Sequence, residues 1–172
     1  MVKEMSCVAK SKNKVAKYVF IGLFGTALIV ACAASLVQKY SGLVWTAAFA
    51  FAVSAIYVYN RYVGAEYVYS VTDDGRPSFT VTQTVGKTSK TLARLDLYNI
   101  TDVRMLSGVD LKKYKPEKGV IKYGYYPTMR PDSLLLISVR SSDENADVLI
   151  EADGEFASAI SSYDSGFEID GE

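Results

Sequence analysis

Residues 18–37 and 43–59 contain no charged side chain, and each is close to the roughly 20 apolar residues that carry a helix across a bilayer. A helix that is apolar all round has no polar face to offer water. Only Gln38, Lys39, Tyr40, Ser41 and Gly42 separate the two stretches. So short a connection forces them antiparallel, as a helical hairpin over residues 18–60 that returns the chain to the side on which it began. The sequence predicts an integral, multi-pass membrane protein with two spans.

The flanking cations predict its orientation. Lys3, Lys10, Lys12, Lys14 and Lys17 stand against Glu4 before the first stretch, whereas the hairpin loop offers Lys39. By the positive-inside rule, residues 1–17 form a basic cytoplasmic tail, and with an even number of spans the chain beyond Arg61 is cytoplasmic too. Both termini are then expected at the cytoplasmic face of the cell membrane. About 110 residues remain after the hairpin, enough for one ordinary domain.

The formal charge of zero hides an acidic C-terminal part that balances the basic N-terminal segment. A general nucleic-acid binder would carry a basic stripe on its domain, so no nucleic-acid partner is expected. Cys7 in the tail and Cys32 inside the first span provide no disulfide framework. The chain has no histidine, which removes the commonest general base and transition-metal ligand and, with them, a zinc site or a Ser-His-Asp triad.

A rival to the hairpin exists: Ile29, Val30, Ala31 and Cys32 spell a lipobox after an apolar stretch and a basic tail. A lipoprotein would continue with a polar tether, whereas this chain continues with Ala33, Ala34, Ser35, Leu36, Val37 and a second apolar stretch. Within the hairpin, Ala27, Ala31 and Ala34 share one helical face, and Ala48, Ala52 and Ala55 share another. These small faces are expected to pack together. Tyr57, Tyr59 and Tyr62 read as an interfacial belt at the exit of the second span.

From Glu66 onward the apolar period becomes alternating. Strands are expected at residues 67–72, 78–85, 91–97, 99–106, 120–126, 134–139 and 148–151, with turns at residues 73–75 and 86–89. A basic connection occupies residues 110–118. Phe156, Ala159, Ile160 and Tyr163 then recur at helical spacing, which predicts a helix over residues 154–163 capped by Asp153. The acidic residues 164–172 are expected to fray.

Glu66-Tyr67-Val68-Tyr69-Ser70-Val71-Thr72-Asp73-Asp74-Gly75, followed by Leu95-Asp96-Leu97-Tyr98-Asn99-Ile100-Thr101-Asp102-Val103, resembles the cadence of bacterial pleckstrin-homology-like domains. The whole chain is similar to a group of small two-span proteins of Gram-positive bacteria in which the second span runs directly into such a strand. The resemblance implies an α+β fold for residues 62–163, a mostly antiparallel β barrel with one C-terminal helix plugging an open end. It covers about two thirds of the chain and marks strand ends and turns without naming a ligand. Inositol-phosphate recognition is not implied, because the first hairpin carries Arg76 but no cationic cluster.

Few residues suggest chemistry. Val85-Gly86-Lys87-Thr88 echoes a phosphate loop but has Val81 in place of the first glycine and a strand-like run where a helix is needed. Asp143, Glu144, Asp147, Glu151, Asp153 and Glu155 match no metal loop and read as a solvated turn. Asn99-Ile100-Thr101 is a glycosylation sequon without meaning in a cytoplasmic strand. No catalytic residue, metal site or cofactor is therefore assigned. The candidate patch for an anionic membrane surface or a protein partner is Lys112, Lys113, Lys115, Lys118, Lys122 and Arg130. The function expected is a membrane-anchored, non-catalytic interaction module; the alternative is an accessory subunit of a larger membrane enzyme or transporter.

Overall fold

The computed structural model describes residues 5–10, 14–34, 36, 41–72, 75–141 and 145–164, with backbone alone at 162–164. Two long helices come first among these, α1 (Val15–Ala34) and α2 (Ser41–Val58). The second runs on through a π turn at Tyr59–Val63. Both are long and apolar enough to cross a membrane. Ala16, Ala27, Ala34, Ala48 and Ala55 are buried while Ile29 and Phe49 are each 71% exposed, so the small residues face the partner helix and the large ones face outward. The hydroxyls of Thr26, Thr46 and Ser54 donate to the carbonyls of Gly22, Gly42 and Ala50, so these three donors are met within their own helices. Residues 38–40 of the expected connection lie outside the described residues, and Ser41 and Gly42 begin α2.

The remaining strands form two four-stranded sheets. Sheet A contains β1 (Met5–Lys10), β2 (Ala65–Thr72), β3 (Ser78–Val85) and β4 (Thr88–Asp96) in that spatial order, all antiparallel. All seven strands expected after the hairpin are present, and β1 is an eighth. It belongs to the segment that precedes α1, yet it pairs along its whole length with β2, from Met5 opposite Val71 to Lys10 opposite Glu66. Lys10 Nζ and Glu66 Oε1 close that ladder at 2.9 Å. Gly86, at φ +62, leads the two-residue turn between β3 and β4, a position that favours glycine. The Gly-Lys-Thr sequence thus lies on a hairpin and not before a helix.

Sheet B contains β5 (Ile100–Ser107), β7 (Ser133–Arg140), β8 (Asn145–Ile150) and β6 (Ile121–Tyr125) in that spatial order. The short helix α3 (Gly108–Lys113) opens the connection from β5, which delivers β6 to the far edge, parallel to β8. This is where the structure departs from the expected barrel. The fold is α+β and mostly antiparallel, but among the described residues the strands divide into two sheets and do not close.

The main core lies between the sheets. Tyr67, Tyr69, Val71, Phe79 and Val81 meet Leu135, Ile137, Val139, Val148 and Ile150 there. A smaller cluster, Leu106, Leu134, Leu136 and Leu149, lies on the other face of sheet B under Leu111, Tyr114 and Tyr126. Strand β7 is buried from Leu134 to Val139 because both its faces are covered, which explains its continuous apolar run from Leu134 to Ile137. The helix α4 (Gly154–Asp164) lays Phe156 and Ile160, both almost wholly inaccessible, against the main core. Its cap is as expected: Asp153 Oδ1 accepts from Phe156 N at 2.9 Å. The side chain of Tyr163 and residues 165–172 lie outside the described residues.

Candidate interaction surface

The basic connection is held to sheet B by one tyrosine. The backbone N–H of Tyr114 donates to Asp110 at the end of α3, and its hydroxyl donates to Asp147 on β8. Arg140 Nη1 donates to the other carboxylate oxygen of Asp147 at 3.1 Å. Burial opposes ionisation of Asp147, but hydrogen bonds from Tyr114, Arg140 and Ser138 outweigh it and hold the carboxyl below its ordinary range. For Tyr114, burial comes first and the Asp147 carboxylate second, and both push the phenol up. The pair therefore stays a neutral phenol donating to a carboxylate throughout ordinary pH.

Around this anchor the cations gather. Lys112 and Lys113 end α3, Lys115 follows Tyr114, Lys118 stands in the turn at Gly119, and all are exposed. Lys122, also exposed, places its ammonium 5.1 Å from the centre of the Tyr114 ring. Arg130 is exposed but stands apart, in the connection between β6 and β7. Beneath the loop is a cleft of about 720 Å3 whose wall includes Lys113 and Lys115. Its floor brings in Arg104 and Arg140, which the sequence reading does not single out.

Acids line the cleft as well, namely Asp102, Asp110, Glu117 and Asp147. Asp102 lies 3.2 Å from Arg104, and Asp147 is only 4% exposed. The acid-rich segment is accordingly not a solvated turn throughout. Asp147 and Glu151 are buried and Asp153 is a helix cap, while Asp143 and Glu144 lie outside the described residues. Among the described residues no group of three or more His, Cys, Asp or Glu side chains is placed to hold a metal ion.

A second set of contacts joins this surface to the helices. Arg61, in the π turn that extends α2, donates through Nη2 to the carbonyl of Gly124 on β6 at 2.8 Å and through Nε to the Tyr62 hydroxyl at 3.1 Å. Gln83 Nε2 donates to the Tyr67 hydroxyl at 3.2 Å and to the Asn60 carbonyl at 3.4 Å, which ties β3 to the same turn. Gly64 passes so close that a Cβ there would come within 3.0 Å of the Tyr59 ring. Lys122 is two residues before Gly124 on the same strand, and it pairs with Asp147 in the β6–β8 register. Along β6, the residue beside the Tyr114 anchor is thus about 7 Å, two strand residues, from the one that accepts from Arg61. No protein-family model matches the chain, and no curated protein matches it as a relative.

Proposed function

We propose that the chain is a membrane-anchored, non-catalytic interaction module in which the α1–α2 hairpin holds a pleckstrin-homology-like β domain at the cytoplasmic face. The basic connection around Tyr114 rests on anionic headgroups or on a protein partner there. The observation that carries this reading is the hydrogen bond from Arg61 to Gly124, since it sets β6, and with it Lys122 and the Tyr114 anchor, beside the exit of the second apolar helix. Pairing of β1 with β2 supports a hairpin topology, because the segments before α1 and after α2 can share a sheet only on one side of a bilayer. Lysines before α1 favour the cytoplasmic side.

The test uses the full chain in vesicles, with Cys7 and Cys32 replaced and a fluorophore attached through Lys115→Cys. Quenching by a headgroup-linked quencher is expected to rise when anionic lipid replaces neutral lipid and to decline at high salt. Equal quenching in both lipids at low salt would remove the membrane surface as ligand and leave the protein partner.

One observation favours the second reading, an accessory subunit. A groove of about 270 Å3 opens between α1 and α2, lined by apolar residues including Phe24, Ala27, Trp45 and Ala48, a surface suited to packing against another helix. Copurification in mild detergent separates the readings, since a subunit runs as a stable complex.

A further inference from the structure

One register row crosses all four strands of sheet B. Asp102 on β5 pairs with Ser138 on β7, Ser138 with Asp147 on β8, and Asp147 with Lys122 on β6. Arg104 and Arg140 stand two residues to either side of that row, and strand alternation puts them on the same face as Leu106 and Leu136. Asp102, Ser138, Asp147 and the two arginines form the floor of the cleft of about 720 Å3 that lies beneath the basic connection.

Hydrogen bonding on this floor is lopsided. Its acceptors are served: Asp147 takes hydrogen bonds from Tyr114, Arg140 and Ser138, and Asp102 has Arg104 Nε at 3.2 Å. Donors are left over. Among the described residues Arg140 bonds through Nη1, to Val139, Ala146 and Asp147, and the Arg104 side chain makes only its ion pair with Asp102. Each guanidinium therefore has N–H groups that no acceptor among the described residues meets. The Asp102–Arg104 pair is no bar to a ligand, because both side chains are about half exposed and such pairs are held weakly.

We propose that this cleft binds a phosphate ester, with the phosphate held by the Nη edge of Arg104 on the floor and by the ammonium groups of Lys113 and Lys115 on the wall. Spare donors call for an acceptor. Donors arriving from both floor and wall suit the tetrahedral oxygens of phosphate better than a planar carboxylate, whose two oxygens a single arginine fork satisfies. Asp110 and Glu117, also on the wall, are exposed, and water and salt screen their repulsion. The volume leaves room for an organic group beyond the phosphate. A soluble ester and a lipid headgroup carry the same chemistry, and the site shares its basic connection with the surface proposed above but needs no contact with a bilayer.

The experiment uses the full chain in two arms. In maltoside detergent and phosphate-free buffer at low salt, it is titrated calorimetrically with glycerol 3-phosphate. In phosphatidylcholine vesicles containing phosphatidic acid or phosphatidylserine at matched surface charge, hydrogen exchange is followed over residues 108–118. Saturable binding is expected in the first arm, slower exchange with phosphatidic acid than with phosphatidylserine in the second, or both. A response to the soluble ester alone assigns that source, one to phosphatidic acid alone assigns the headgroup, and both together mean that the phosphate is recognised on either carrier. Arg104→Gln is expected to weaken the response about 10-fold, and Arg104→Lys, which keeps the charge but not the fork, to recover only part. Lys90→Gln, which removes an exposed cation from β4, is expected to change it less than about twofold. No response in either arm, or one that Lys90→Gln weakens as much as Arg104→Gln, overturns the proposal. If quenching at position 115 still rises with anionic lipid in that case, the surface contact stands without the site.

Discussion

Arg61 and Gly124 are joined by a 2.8 Å hydrogen bond that ties the end of the second apolar helix to strand β6 of sheet B. A charged donor on a backbone carbonyl is stronger than a neutral one. Arg61→Ala is expected to cost about 1–2 kcal/mol, near the low end for a charged hydrogen bond because the site is partly open to solvent. The measurement is urea denaturation of the full chain in detergent, with hydrogen exchange at β6 showing where the loss falls. Arg61→Lys is expected to recover only part, since an ammonium cannot serve Gly124 and the Tyr62 hydroxyl in the same planar fork.

Replacing both Phe156 and Ile160 with Asp is expected to unfold the β domain. Each buried apolar side chain contributes roughly 1.5–3 kcal/mol, against a total stability of about 5–15 kcal/mol, and two buried carboxylates add a desolvation cost. Loss of β circular dichroism in detergent is the readout. A double variant that melts like the parent would mean that α4 does not close the core.

Strand β1 makes the segment before α1 part of the β domain. A fragment of residues 62–163 alone leaves the β2 edge unpaired, and the inner side chains of β1, Ala9 among them, no longer cover the main core. That fragment is expected to self-associate in size-exclusion chromatography, as bare edges do. Fusing residues 1–12 through a flexible linker is expected to return it to a monomer.

Stability is expected to be flat across neutral pH and to fall at both extremes. With no histidine, nothing with an ordinary pKa near 6.5 titrates on unfolding. Asp147 ionises below its unfolded value, so its contribution is complete above about pH 4 and is lost as pH falls through the folded pKa. Tyr69 and Tyr114, pushed up chiefly by burial, keep their protons when an unfolded tyrosine has released its own. Stability therefore declines as pH rises past about 10. Denaturation midpoints measured from pH 3 to 11 check both limbs, and Asp147→Asn is expected to flatten the acid one.

Changing Lys112, Lys113, Lys115 and Lys118 to Gln is expected to abolish the anionic-lipid dependence of quenching while leaving the melting temperature close to that of the parent. Each lysine near a charged surface contributes about 1 kcal/mol, and all four side chains are exposed.

Local pattern carried most of the elements. The alternation in β2 puts Ala65, Tyr67, Tyr69 and Val71 inward, and Asp153 announces the start of α4; both are legible within a few residues. What was not legible depends on partners distant in sequence. Met5–Lys10 is short and lysine-flanked, and nothing nearby says that its partner waits beyond two helices. Asp147 looked solvated among its acidic neighbours because the tyrosine and arginine that bury it come from α3's connection and from β7. Closure into a barrel failed for a similar reason: the route from β5 through α3 to the far side of β8 is a matter of path, which periodicity does not record. The lysine-rich connection was legible as exposed charge, but the cleft beneath it, floored by Arg104 and Arg140, was not.

The pairing of β1 with β2 also sets an order of events during synthesis. Strand β1 leaves the ribosome before α1, but its partner emerges only after α2 is complete. At about 5–20 residues per second the earlier strand waits several seconds with its apolar side chains uncovered. Sheet A is finished only when both helices have been made, so a chain stalled after α1 has no β2 to pair with. Completion of the sheet is in this sense a report that the whole helical pair has been synthesised.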